Sequence, residues 1–203
     1  MMDAAALAFP WHGGRLSVNF TATLGKRGGA RFERLREPAD LARWFHEAGM
    51  VAHLLDVSAE NLTEAQQLRE ALYDAFTAPG CELDVLNHWA TQPAPAGRLE
   101  WTAGRITLQP PQTDVPGLLS VLARDGATLV SGPLADRIRE CGREDCWLLF
   151  VDESRAGNRR WCSMETCGAR TKMARYRAPA TSPEAVPPGT SSRRASSEQV
   201  GQR

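Results

Sequence analysis

Four of the five cysteines of the chain form two matched pairs near its C-terminal end. Cys141 and Cys146 are separated by four residues, Cys162 and Cys167 by another four, and fifteen residues lie between the pairs. Four thiolates arranged as a tetrahedron are a preferred ligand set for zinc in proteins. We therefore predict that these cysteines bind one Zn²⁺ ion. Because protein sulfur fills all four positions and leaves none for water, the zinc is expected to be structural rather than catalytic.

The cellular compartment bears on the alternatives for these thiols. The N-terminal stretch "MMDAAALAFPWHGGR" has no basic start, and Pro10 and His12 interrupt its short apolar run, so it does not resemble a secretory signal. No apolar run approaches the roughly 18 residues of a membrane span. We expect a cytoplasmic protein without membrane contact, in which clustered thiols are more often metal-bound or redox-active than disulfide-bonded. Two disulfides, a redox-active thiol pair and unrelated core thiols remain the alternatives.

Basic side chains concentrate beside the second cysteine pair. The whole chain is neutral, with 24 basic and 24 acidic side chains, but residues 155–177 hold seven basic side chains and one acidic one. Such a focus predicts binding to a polyanion such as double-stranded DNA. The candidate contacts are Arg159, Arg160, Arg170, Lys172, Arg175 and Arg177. The alternative role is to offset the net −2 charge of a tetrathiolate zinc site, a role we assign mainly to Arg170.

Local patterns predict an α+β fold before the cysteines. Residues 15–24 alternate like a strand, and helices are predicted over 38–48, from 59 to about 77, and over 81–91. A hairpin over 98–109 turns at 103–104, and a helix begins after Asp114. A further helix is predicted to carry Leu134, Ile138 and Cys141 on one face.

The cysteine segment itself is predicted to be a small treble-clef-like zinc finger, a β-hairpin followed by a helix. The hairpin strands are 147–151 and 159–161, with the turn at 156–158. The helix covers 164–177 and turns Ala169, Met173 and Tyr176 inward. The predicted domains are thus a flexible start (1–14), a mixed helix and hairpin domain (15–140), the finger (141–177) and a disordered Pro- and Ser-rich tail (178–203).

The motif residues carry a resemblance to a known family. "RRWCSMETCGAR" followed by "TKMARYR", together with the preceding "LFVDESR", resembles the CGNR-type zinc finger. "SVNFTAT" and "PADLARWFHEAGM" resemble the ABATE-type domain that accompanies this finger, so the resemblance covers about 15–177. It implies zinc ligation by the four cysteines and stress-linked transcription regulation through DNA binding. One departure is Ala169, which stands where the family has Asn.

Three classes of function follow from these observations. The first is a DNA-binding transcriptional regulator whose N-terminal domain senses a ligand or forms a homodimer. The second is a zinc-stapled protein-interaction or RNA-binding module. We do not expect an enzyme, because the four histidines are scattered and no hydrolase or nucleotide-binding motif occurs. Trp44, Trp89 and Trp101 are candidates either for a ligand pocket or for the core.

Overall fold

The computed structural model describes residues 7–109, 111 and 113–177. In this part of the chain the helices are α1 (Leu16–Thr21), α2 (Pro38–Glu47), α3 (Ala59–Thr77), α4 (Asp84–Thr91), α5 (Val115–Ser131) and α6 (Ala169–Arg177). The strands are β1 (Leu24–Gly25), β2 (Phe32–Glu33), β3 (Arg98–Thr102), β4 (Arg105–Gln109), β5 (Ile138–Glu140) and β6 (Leu149–Val151). The strands pair as three antiparallel two-stranded units, β1–β2, β3–β4 and β5–β6. None of the helices described is long and apolar enough to cross a membrane.

The core of the N-terminal part lies between helices α1 to α5. Trp44 and Phe45 of α2 and Phe20 of α1 are fully buried there, packed with leucines of α3 and α5. Helices α3 and α5 approach closely at Gly126, where a Cβ atom would overlap the side chain of Leu72. The predicted α+β class, with a four-cysteine unit after a helical domain, is confirmed.

The predicted starts of three helices are confirmed, and each has a capping interaction. Helix α2 begins at Pro38 behind a reciprocal capping box between Glu37 and Asp40. Helix α3 follows Ser58, whose hydroxyl accepts from the Asn61 backbone N–H at 3.1 Å. Helix α5 follows Asp114, which accepts from Gly117 N–H at 2.9 Å. These side chains satisfy N–H groups that the first turn of a helix leaves without intrahelical partners.

The strand predicted over residues 15–24 is instead helix α1 followed by the short strand β1. The segment is buried on almost every side, so its apolar residues show no helical periodicity that the sequence could reveal. Two buried hydroxyls of the segment bond to nearby backbone: that of Thr21 donates to the Val18 carbonyl, and that of Thr23 to the Phe20 carbonyl, each at 2.8 Å.

The prediction of a helix through Leu134, Ile138 and Cys141 was also wrong. After a single 3₁₀ turn the chain enters strand β5, which pairs with β6 so that Ile138 lies opposite Val151. Residues 159–161 form no strand, because their backbone groups have other partners: Arg159 N–H donates to Asp152 and the Arg160 carbonyl accepts from Gly142 N–H. The hairpin of the finger is therefore β5–β6.

The two parts of the chain share a core. Leu149 and Val151 of β6 are buried together with Val18 of α1 and Leu129 of α5. Trp147, just before β6, lies against Gly28 in the connection between β1 and β2, where a Cβ atom would overlap the indole ring. The finger is thus packed directly on the helical domain.

Residues 7–14 differ from the flexible start that the sequence predicted. Phe9 is buried in the helical core. Gly13 donates its N–H to the Asn19 side chain at 2.8 Å, and its carbonyl accepts from Val151 N–H at 2.9 Å. This segment therefore bridges the domain and the finger. Residues 1–6 and the predicted disordered tail at 178–203 lie outside the described residues.

Helix α1 is fixed to α5 by one carboxylate, and this generates a stability prediction. Asp125 accepts from the Arg15 guanidinium at 2.6 and 3.0 Å and from the backbone and hydroxyl of Ser17 at 2.9 and 2.5 Å. Asp125→Ala leaves these partly buried donors without a partner. We expect a loss of about 2–4 kcal/mol in the free energy of unfolding, measured by chemical denaturation.

The matched control is Asp74→Ala, because Asp74 lies exposed on α3. It should change the free energy of unfolding by less than about 0.5 kcal/mol. A loss of less than about 1 kcal/mol for Asp125→Ala would contradict the role given to this carboxylate.

Candidate metal centre

The four predicted cysteines converge. All four sulfur atoms lie within 4.8 Å of one another, and none is in a disulfide. The sulfur atoms of Cys146, Cys162 and Cys167 form a triangle with sides of 3.7, 3.6 and 3.6 Å. A tetrahedron with Zn–S bonds of about 2.3 Å has edges of about 3.8 Å. The donor set and its spacing therefore fit a single structural zinc ion, as predicted.

The first cysteine pair lies in the connection of the β5–β6 hairpin. Cys141 follows β5 and donates its backbone N–H to the Leu148 carbonyl at 2.9 Å, which continues the pairing of the two strands. Cys146 N–H donates to the Arg143 carbonyl at 3.0 Å and closes a tight turn. This turn brings the two side chains to the same side of the hairpin end.

The second pair lies at the start of the last helical segment. Cys162 precedes one turn of π-helix, Met164–Gly168, which Ser163 caps by accepting from Thr166 N–H at 3.2 Å. Cys162 N–H points at the Cys141 sulfur, 3.5 Å away. Cys167 ends the turn, and its sulfur faces that of Cys162. The wide turn therefore presents the second pair toward the hairpin end.

A buried carboxylate holds the loop that joins the two pairs. Asp152 is fully buried and accepts from the backbone and hydroxyl of Ser154 at 3.0 and 2.5 Å and from Arg159 N–H at 2.8 Å. The bond from the Ser154 hydroxyl lowers the pKa of this carboxyl more than burial raises it. Asp152 therefore stays ionised and fixes the path of the chain toward Cys162.

The predicted DNA contact Arg159 is engaged inside the finger. Its guanidinium donates to the carbonyls of Trp161 and Cys162 and lies 4.5 Å from the centre of the Phe150 ring. The side chain is only partly exposed. These contacts show that Arg159 supports the backbone of the second cysteine loop.

The thiols differ in acidity when no cation is present. Hydrogen bonding from Cys162 lowers the pKa of Cys146 to about 5, whereas burial raises the pKa of Cys141 to about 11. The pKa of Cys162 is also raised, first because it donates to Cys146 and then by burial. Four adjacent thiolates thus require a bound cation, and binding a dication displaces protons from Cys141 and Cys162.

Two arginines that the sequence did not single out lie beside the sulfur atoms. Arg34, from the strand region of the helical domain, interacts electrostatically with Cys146; burial lowers the pKa of its guanidinium, and Glu33 and Cys146 oppose that shift. Arg143 lies between the first cysteines; although burial opposes it, Asp145 and Cys167 raise its pKa. The sequence could have indicated the role of Arg143, because this residue lies between Cys141 and Cys146. Arg34 is more than a hundred residues away, so no local signal marks it.

Both arginines line a cleft of about 540 Å³ between the two parts of the chain. From the helical domain it is lined by Phe9, Lys26 and Arg34, and from the finger by Arg143 and Arg170, with Cys146, Cys162 and Cys167 at its wall. The cleft is rich in cations. The sequence assigned the compensation of thiolate charge mainly to Arg170, and the structure adds Arg34 and Arg143 to that role.

Other predicted DNA contacts lie on the surface of the finger. Arg160 and Arg170 are exposed and line one groove, with the Arg160 guanidinium 5.1 Å from the centre of the Trp161 ring. Lys172 is exposed beside a second, apolar groove. Arg175 and Arg177 belong to α6, and their side chains are outside the described parts.

The apolar residues of α6 do not face inward as predicted. Ala169 is exposed, and Met173 and Tyr176 are 49% and 86% exposed. The finger core consists instead of Cys141, Cys162, Cys167 and Phe150, with Trp161 against it. The helix pattern correctly placed these residues on one side, but no other element of the described chain covers that side.

Fold and centre together define a zinc-finger protein whose finger is packed on a helical domain. Two family models match the sequence: ABATE, described as "Putative stress-induced transcription regulator", over residues 14–133, and the CGNR zinc finger over residues 137–179. The first covers more than half of the chain, and the chain therefore belongs to the ABATE family. Both resemblances identified from the sequence are confirmed. No protein of curated function matches the chain.

Ala169, which replaces the asparagine of the family motif, does not prevent the four sulfur atoms from converging. Ala169 begins α6 and donates its backbone N–H to the Met164 and Thr166 carbonyls. The four sulfur atoms converge with alanine at this position. The contact that an asparagine side chain would add is therefore not required to close the cluster.

The metal centre generates a direct prediction. Full-length protein purified under reducing conditions should contain about one zinc ion per chain, and Cys162→Ser should lose it, because structural zinc contributes on the order of 10 kcal/mol to small modules. Elemental analysis measures the content. The matched control is Cys81→Ser, which removes the thiol outside the cluster and should keep the zinc. Wild-type protein without zinc would contradict the assignment.

Proposed function

We propose that this protein is a transcriptional regulator that binds double-stranded DNA through the exposed basic face of its zinc finger. The family description supports regulation of transcription at the level of the class. The observation that carries the DNA-binding step is the pair Arg160 and Arg170. They line one groove of about 660 Å³ and form no ion pair with a described carboxylate.

The groove is suited to a sugar–phosphate backbone. The small residues Gly142, Thr171 and Ala174 also line the groove and leave room for a phosphate beside the two guanidinium groups. Guanidinium groups bind phosphate oxygens in a bidentate manner. Two carboxylates also border the groove. Asp145 is held by Arg143 at 2.6 Å and so repels an incoming phosphate less, whereas Glu144 is exposed, and the three arginines of the lining outweigh its repulsion.

Lys172, Arg175 and Arg177 extend the basic character along α6. We infer that these residues add phosphate contacts beyond the groove, while Arg159 acts by positioning the loop. Phosphate contacts of this kind fix the orientation of a protein on DNA, and sequence is read by contacts with base edges. The finger is the proposed source of both kinds of contact.

The helical domain is proposed to regulate the finger. The cleft beside the metal centre is the place where one ligand would touch both parts of the chain, and its cationic lining favours an anionic ligand. Trp44 and Trp89 are buried in the core of the helical domain, which favours the core role for both.

The alternative functions make different use of the same surfaces. A zinc-stapled protein-interaction module would use the exposed apolar residues of α6, and an RNA-binding module would use the same arginines. We favour DNA because of the family description. We also propose that the protein is not an enzyme, since four cysteines fill a tetrahedral metal site and leave no position for water or substrate.

The groove generates a prediction for DNA binding. Arg160→Ala/Arg170→Ala should weaken binding to all duplex sequences alike. It should also make the slope of log affinity against log salt concentration shallower by about 1.8, since each phosphate contact contributes about 0.9. Fluorescence anisotropy with a labelled duplex at several salt concentrations measures both. The zinc content should not change, because neither residue is a ligand and Arg34 and Arg143 remain to offset the thiolate charge.

The matched control is Arg31→Ala/Arg105→Ala, which removes the same charge from exposed positions of the helical domain. It should leave the salt slope unchanged. If the groove variant also leaves the slope unchanged and instead loses zinc, the two arginines compensate thiolate charge. Wild-type protein without affinity for any duplex at low salt would refute the proposal, and binding to structured RNA alone would favour the alternative.

A further inference from the structure

One face of the β3–β4 hairpin is entirely apolar and exposed. Leu99 lies opposite Leu108, and Trp101 lies opposite Ile106. Directly opposite residues of an antiparallel pair share a face, so these four side chains form one patch, which we call the hairpin face. They are 67%, 68%, 76% and 58% exposed, respectively.

The hairpin stands apart from the helical core. Its extensive contacts are those between its own two strands. The turn is well formed, because Ala103 and Gly104 both have positive φ angles, of 51° and 79°, as a two-residue type I′ turn requires. An isolated two-stranded hairpin is nevertheless marginal in water, and large exposed apolar patches mark interaction sites.

The remaining segments of the chain are poorly suited to cover this face. Residues 178–203 contain only Val186 and Val200 as aliphatic side chains larger than alanine or proline, and residues 1–6 offer two methionines. Neither segment can supply a surface that matches four large apolar side chains. A second molecule is therefore a better match for this face than either of these segments.

We propose that the hairpin face is a dimer interface, occupied by the hairpin face of a second copy of this chain. The face carries no charge, so two copies related by a twofold axis bring no like charges together. Its exposed area is roughly 500 Å² per copy, and two copies bury about 1,000 Å², which is the lower limit for a specific interface. An interface at this limit is typical of a weak, reversible dimer.

The polar face of the hairpin determines how the two copies meet. Arg98 and Glu100 lie on the side away from the hairpin face, with 3.8 Å between Arg98 Nε and Glu100 Oε1. Stacking the apolar faces leaves these charges in water, as in a small β-sandwich, whereas burial of the polar face would desolvate them. The proposal is independent of DNA binding, and its test contains no DNA.

The test is sedimentation of the zinc-loaded full chain over a range of concentrations. The wild type should show a reversible monomer–dimer equilibrium. Trp101→Thr/Ile106→Thr removes the central pair and keeps residues that favour strands. It should weaken dimerisation by at least about 100-fold, because each dimer loses four buried apolar side chains.

Two controls use the same kind of substitution elsewhere. Glu100→Thr/Arg105→Thr changes the polar face of the same strands, and Met173→Thr/Tyr176→Thr removes the exposed apolar residues of α6. Both should dimerise like the wild type. A monomeric wild type, a hairpin-face variant that still dimerises, or loss of the dimer in the α6 variant would each overturn the proposal.

The hairpin-face variant could alter the hairpin itself, so a second measurement tests the proposal on the wild type alone. Hydrogen exchange of the wild type should slow at the amides of β3 and β4 as the protein concentration rises through the dimerisation range. A dimer whose hairpin amides exchange at a rate independent of concentration would overturn the proposal.

Discussion

Four sulfur atoms must be held within bonding distance of one cation, and the last quarter of the described chain is organised around that requirement. The finger has almost no apolar core of its own besides Phe150 and the partly buried Trp161. Each pair of cysteines comes from a tight turn, one at a hairpin end and one at a helix start, so the metal joins two local structures that would otherwise separate. Asp152 and Arg159 fix the loop between them, because their hydrogen bonds replace the strand pairing that this loop lacks.

The charge of the thiolates explains the distribution of arginines around them. Arg34 of the helical domain interacts with Cys146, and Arg143 of the finger interacts with Cys167, so the helical domain contributes part of the charge balance of the metal centre. Arg160 does not balance the thiolate charge; its guanidinium stacks on the Trp161 ring at the surface. The cations thus divide into a set that stabilises the metal centre and a set that is available to a polyanion. Arg170 borders both the cleft and the outer groove.

The sequence predicted the features that local chemistry determines. The cysteine spacing identified the ligands, and Ser58, Asp114 and the turn at 103–104 identified the ends of helices and the hairpin, because caps and turns depend on neighbouring residues.

The predictions that failed concern features that depend on residues distant in the sequence. Helix α1 is buried on almost every side, so its apolar residues show no periodicity, and β5 exists because residues 149–151 pair with it. The spacing of apolar residues in α6 predicts which of them share a face, but not whether another element packs against that face. Arg34 reaches the metal centre through tertiary packing alone.

The family models divide this chain between residues 133 and 137, yet the folded protein has no boundary there. Strand β6 belongs to the finger by sequence and to the helical core by packing, because Leu149 and Val151 lie against Val18 and Leu129. An excised finger would expose those two side chains, and an N-terminal fragment would expose their counterparts. This finger is therefore not an interchangeable cassette: grafted onto another protein, it would need a host surface with the same shape as the one that α1 and α5 provide.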